Sequence, residues 1–155
     1  MNTEKKNTNL KREGSVPDSN PSSSEMVDIL IGCRTIAIVG LSDQPNRTSY
    51  RVGSYLKQKG YRVIPVNPFK NEIMGEKCYP DLYTIPEHVD IVDIFRDVEA
   101  IPGIVEEAIG IGAGIVWMQL GLVQNEAAQK ARKAGLCVVQ SRCLMVEHEK
   151  LLGQS

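Results

Sequence analysis

The chain has 155 residues, 42% of them hydrophobic, and a formal net charge of -1; a domain of this length buries about 70% of the surface its unfolded chain exposes, so one core is expected. With 18 Lys and Arg against 19 Asp and Glu, no global basic field exists to capture nucleic acid, and any polyanion must be held by a local cluster. Four cysteines without a CxxC pair and only two histidines argue against structural zinc, and neither a leader segment nor an apolar run of about 18 residues points to export or membrane spanning; a cytoplasmic chain with reduced thiols is expected.

Residues 1–23 are polar and rich in Asn, Ser, Pro and Gly, too poor in apolar side chains to offset the entropy of ordering them, so a disordered tail is predicted ahead of a domain over 24–155. Ser22 followed by Glu25 is a capping-box pattern, and Met26, Ile29 and Leu30 continue it as a short amphipathic helix. From Thr35 onward short apolar runs alternate with helix-period segments, the pattern of βαβ units. The predicted order is a strand at 35–40, a loop and a helix over 49–59, and a strand at 61–67. An irregular stretch with one short helix at 81–85 then leads to a strand at 90–95. A helix carrying Ile101, Ile104, Val105, Ala108 and Ile109, with Pro102 in its first turn, precedes a strand at 114–118. Asn125 is placed to cap a helix with an alanine face, followed by a strand at 136–139 and a last helix over 145–152. Five strands in this rhythm predict a Rossmann-like, doubly wound parallel sheet in three α/β/α layers, ordered 3-2-1-4-5.

In such a sheet a ligand lies beyond the carboxyl ends of the strands, where the strand order reverses, here expected between strands one and four. The loop after strand one joins a buried strand to a helix N-terminus, where free amides and the helix dipole favour phosphate. Gly40 permits close approach, Ser42 offers a hydroxyl, Arg47 a fork of donors, and Thr48 or Ser49 a cap. The alternative is a plain surface turn. The loop is not a G-x-G-x-x-G fingerprint, because Ser42 and Pro45 hold the later glycine positions. Strand two ends in Asn67-Pro68 with Lys70 two residues on, where a NAD site wants an acid for the ribose hydroxyls. Asn and Lys suit a ribose that carries an extra phosphate, as in coenzyme A or NADP; a strand-ending turn explains Asn67 and Pro68 equally. Arg96, past strand three, faces the ligand or pairs with Asp93, Asp97 or Glu99. Glu106 and Glu107 read as a solvated helix face, and Trp117 and Phe95 as core or pocket wall.

The runs VGLSDQPNRTSY, GYRVIPVNP, GEKCYPDL, DIVDIFR, VWMQLG and SRCLMVEH, in that order, resemble the stand-alone coenzyme A-binding domain family, itself similar to the N-terminal domain of the succinyl-CoA synthetase α subunit. The resemblance spans about residues 29–152. It implies a Rossmann-like fold whose first loop, Gly40, Leu41, Ser42, Asp43, Gln44 and Pro45, holds the coenzyme A diphosphate, with Pro68-Phe69-Lys70 in place of the Pro-x-Lys that reaches the nucleotide. Met118, Gln119 and Leu120 match a third contact segment, although the synthetase has an acid where this chain has glutamine or leucine.

The synthetase works through a histidine in a second domain that this sequence does not contain, so ligase chemistry is not implied. The expectation is a binding or sensor module for coenzyme A or acyl-CoA, without a metal and without clear catalysis. Two alternatives stand beside it: an enzyme using NADP or acyl-CoA with Cys143 as nucleophile and Glu147 and His148 nearby, and a docking subunit of a larger coenzyme A-dependent complex with a protein partner. Nothing predicts a nucleic-acid or membrane partner.

Overall fold

The structure, a computed structural model, describes residues 19–153, so most of the tail predicted over 1–23 lies outside the described residues. Helix α1 (Ser23–Gly32) starts at the predicted capping box: the Ser22 hydroxyl accepts from Glu25 N, and the Glu25 carboxylate accepts from Ser22 N. Five parallel strands follow, β1 (Thr35–Val39), β2 (Arg62–Val66), β5 (Ile91–Ile94), β6 (Ile115–Met118) and β7 (Cys137–Val139), with a two-stranded hairpin of β3 (Glu72–Ile73) and β4 (Glu76–Lys77) after β2. Their residues are apolar on both faces because helices cover both. Helices α1, α2 (Thr48–Gln58) and α5 (Leu144–Leu152) pack on one side, over Ile36, Ile38, Ile91, Ile115 and Trp117; α3 (Ile101–Gly110) and α4 (Asn125–Lys133) pack on the other, over Val39, Val66, Val92, Ile94 and Val116.

The sheet is Rossmann-like and doubly wound, but its order is β2-β1-β5-β6-β7, or 2-1-3-4-5 in the count of main strands, which corrects the predicted 3-2-1-4-5. The reason lies on the outer edge of β2. Pro65 has no N–H for a further strand, its carbonyl accepts from Tyr79 N at 3.0 Å, and Asn67 N donates to Tyr79 O at 2.9 Å; the bridge between Val66 and Tyr79 occupies the place a third strand would have taken. Proline belongs on edge strands, so Pro65 already marked β2 as one. From Tyr79 the chain crosses to the far side of β1, burying Leu82, Ile85 and Val89 in the α3/α4 layer.

Two local expectations also change. No helix forms at 81–85, because the Asp81 carboxylate accepts from Thr84 N at 3.0 Å and the Thr84 hydroxyl donates to Asp81 O, bonds that compete with helical pairing. Helix α4 is capped by Gln124 and not by Asn125: the Gln124 side-chain oxygen accepts from Glu126 N and Ala127 N at 3.0 and 3.2 Å. Asn125 instead accepts from the Gln140 side-chain amide at 2.9 Å. Pro102 stands in the first turn of α3 as predicted.

One residue breaks the apolar rule inside the sheet. Asp93 on β5, in register with Ile38 and Trp117, is fully buried and neither carboxyl oxygen has a hydrogen-bond partner. Burial alone pushes its carboxyl well above the usual carboxylate range. Of the alternatives open for Arg96, an ion pair with Asp93 is therefore not made.

Candidate functional site

In the observed order the reversal falls between β1 and β5, and it brings the loops after these two strands into contact. Gly40 closes β1 at φ +90°, and a Cβ there would stand 2.4 Å from the Phe95 carbonyl oxygen and 2.9 Å from Arg96 Cδ. Only glycine fits. Two clefts meet at this residue. One, of about 380 Å³, runs along Ser42, Asn46, Arg47, Thr48 and Ser49 to Phe95; the other, of about 310 Å³, lies between the end of β2 and the first turns of α3, walled by Asn67, Pro68, Phe69, Pro80, Arg96 and Ile104.

The first loop is fixed by its own hydrogen bonds. Ser42 N donates to the Ser49 hydroxyl at 3.0 Å, Gln44 N to the Ser42 hydroxyl at 3.0 Å, and Arg47 N to Gln44 O at 3.0 Å. Ser49 is thus spent on the loop, and neither it nor Thr48 caps α2. The N-cap is Arg47, extended at φ -85° and ψ 146° and without a side-chain hydrogen bond to the helix. The first amides of α2 are left facing the cleft, with the positive end of the helix behind them. Asn67 clamps this loop to β2: its Nδ2 donates to Leu41 O at 3.0 Å, and its Oδ1 accepts from Phe69 N at 2.9 Å. Lys70 Nζ meets Asp43 at 3.0 Å, a second strap between the same two segments. Among the described residues, Arg47 and Arg96 carry no ion pair.

The predicted residues therefore divide. Gly40, Ser42, Arg47, Asn67, Pro68 and Arg96 line the two clefts, with Asp43, Gln44, Pro45 and Lys70 exposed beside them. The Leu41 side chain is core, and only its backbone faces the loop. Met118 and Gln119 are buried and Leu120 is 67% exposed; none of the three lines either cleft, because β6 stands one strand beyond the reversal. Sequence reasoning passed over Phe69, Pro80, Asp81 and Glu107 as wall residues. Glu107, expected on a solvated face, accepts from Leu82 N at 2.9 Å. The proline-flanked aromatic of Pro68-Phe69-Lys70 was the available signal.

Cys143, Glu147 and His148 are used for packing. Cys143 is buried at the start of α5, Glu147 lies 3.9 Å from both Arg142 and Lys150, and His148 Nδ1 bonds the Tyr55 hydroxyl at 2.8 Å with Tyr61 edge-on. Burial, and to a smaller extent the nearby Lys59, lowers the His148 pKa. The imidazole is thus oriented by Tyr55 through Nδ1, and it makes no hydrogen bond to Cys143. Among the described residues no cluster of His, Cys, Asp or Glu is arranged to hold a metal, and no helix is long and apolar enough to cross a membrane.

Residues 34–149 match the family described as CoA binding domain. The chain belongs to this CoA-binding domain family. An uncharacterised Bacillus subtilis protein, YneT, is 42% identical over 129 residues, covering 83% of this chain and 96% of its own length. A hypothetical protein from Pyrococcus horikoshii has the same fold at TM-score 0.85 and 41% identity, with 92% of this chain and 100% of that one aligned. The ADP-forming acetate–CoA ligase I of Archaeoglobus fulgidus is 29% identical over 121 residues, 72% of this chain but only 18% of the ligase. Sequences similar to this chain thus occur both as proteins of about this size and as about a fifth of a ligase.

Proposed function

We propose that this chain is a binding module for coenzyme A or an acyl-CoA, with the diphosphate on loop 40–49 and the phosphorylated ribose toward Asn67, Pro68 and Lys70. The observation that carries the reading is the meeting of two clefts at Gly40, beside the uncapped amides of α2. A diphosphate needs many donors and no acid in its path. Free amides, the Ser42 hydroxyl and Arg47 supply the donors, while Asp43 is turned to Lys70. The absence of an acid at the end of β2 supports a ribose phosphate over bare ribose hydroxyls. Arg96, lying under Gly40, serves as a second cation on the other side of the same crossing. The family membership supports coenzyme A over NADP, and the buried, separately engaged Cys143 and His148 favour binding without turnover.

Titration calorimetry with coenzyme A, acetyl-CoA and NADP tests this. Coenzyme A is expected to bind one per chain and more tightly than NADP, and Gly40→Ala to weaken it roughly tenfold or more, a loss of ~1.4 kcal/mol, because the new Cβ forces the loops apart. A melting curve checks that the variant is folded. Absence of binding by coenzyme A and acetyl-CoA at millimolar ligand would sink the reading. The ligases whose domain this chain resembles favour a second role, as a docking subunit for a larger coenzyme A-dependent enzyme, and co-purification with such a partner would reveal it.

A further inference from the structure

Among the described residues Phe69 is the most exposed large apolar side chain, at 89%. Its backbone is nevertheless held firmly: Pro68 precedes it, its N–H is bound by Asn67 Oδ1, and Asn67 is itself anchored to Leu41 O. The ring stands on a rigid turn at the wall of the cleft between β2 and α3. That cleft differs in chemistry from the loop on the other side of Gly40. Its walls include apolar Val66, Pro80 and Ile104; Arg96 stands at the Gly40 end, and two carboxylates, Asp81 and Glu107, contribute acceptors to it. One oxygen of each is engaged, Asp81 Oδ1 by Thr84 N and Glu107 Oε1 by Leu82 N. Two acids repel a phosphate and accept from an N–H, while an exposed ring beside proline offers a flat face to a base.

We propose that Phe69 is the stacking platform for the purine of the nucleotide, and that Asp81 and Glu107 select a base bearing an exocyclic amine, as adenine does. The assignment rests on the coenzyme A reading above and names what lies at the second cleft. Because both clefts share Gly40, one ligand spans them, with the diphosphate on the amide side, the ribose phosphate at the Asn67–Lys70 turn and the base beyond it against Phe69. Phe69 is 89% exposed and outside both core clusters, so its removal is expected to leave the fold intact.

The experiment measures binding of coenzyme A, adenosine 3′,5′-bisphosphate and 4′-phosphopantetheine to the wild-type chain, Phe69→Ala and Phe69→Trp. Loss of the ring is expected to weaken coenzyme A and the bisphosphate about ten- to a hundredfold, the range that base–aromatic stacking supplies, and to leave phosphopantetheine within about twofold. The one tryptophan of the chain, Trp117, is buried, so Phe69→Trp adds an exposed fluorophore whose emission should change with coenzyme A and the bisphosphate but not with phosphopantetheine. Unchanged coenzyme A affinity in Phe69→Ala, or an equal loss for phosphopantetheine, overturns the platform while the binding module stands. A wild-type chain that binds no coenzyme A overturns both, and is read before any variant is made.

Discussion

Two strand-to-helix loops leave the same edge of the sheet, one from β1 to α2 and one from β6 to α4, and they treat the helix amides in opposite ways. At α4 the Gln124 side chain takes two amides, Gln124 N donates to Gln140 Oε1 at 2.8 Å, and Gln140 in turn donates to Asn125 Oδ1 while the Asn20 side-chain amide donates to its carbonyl and accepts from its N–H. The amides of Glu126 and Ala127 there are satisfied by a side chain of the protein itself. At α2 the residue in the capping position is an arginine that makes no such bond. A position beyond the carboxyl ends of the strands is shared by both loops, and so is not what makes a site. Donors left without an internal partner, next to the reversal of strand order, are what distinguish the first loop.

The contrast can be broken by moving the cap. Arg47→Asp gives α2 a side-chain cap and sets a negative charge where the diphosphate is proposed to lie. Coenzyme A affinity should fall by roughly a hundredfold while the folded state gains about 0.5–1 kcal/mol, read by calorimetry and by urea unfolding. Affinity that survives this change would mean that the α2 amides are not used. The converse variant, Gln124→Ala, uncaps α4 and should cost about 1 kcal/mol of stability with coenzyme A affinity unchanged. A marked loss of affinity in it would show that the two loops are coupled through the sheet.

Much of this was legible beforehand. The apolar runs gave all five main strands within a residue or two, because strands buried on both faces carry an uninterrupted signal. The Ser22–Glu25 box and Pro102 marked helix starts by chemistry local to the backbone. The strand order was not legible from periodicity, since both orders satisfy right-handed crossovers; Pro65 held the answer as a missing donor on an outer edge. The hairpin of β3 and β4 was missed because its two turn residues, Met74 at φ 58° and Gly75 at φ 76°, include a methionine, which seldom adopts that backbone. At the site, the first loop was found through its donors, whereas Asp81 reaches the second cleft through the crossing of 79–89, and Glu107 meets it from α3 by accepting from Leu82 N, both tertiary facts.

Asp93 gives the molecule an exchange of matter with its solvent. Between the ordinary carboxylate value and the raised one it has in the sheet, the folded chain holds a proton that the unfolded chain releases, so folding consumes hydrogen ions and stability declines as pH rises through that window. His148, with its lowered pKa, acts with the opposite sign below about 6.5, where the unfolded chain binds the proton that the folded one refuses. Asp93→Asn should abolish the first effect alone. The apparent heat of unfolding should then lose the part of its dependence on buffer ionisation enthalpy that Asp93 supplies, and an unaltered dependence across that window would mean that the carboxyl is ionised within the sheet.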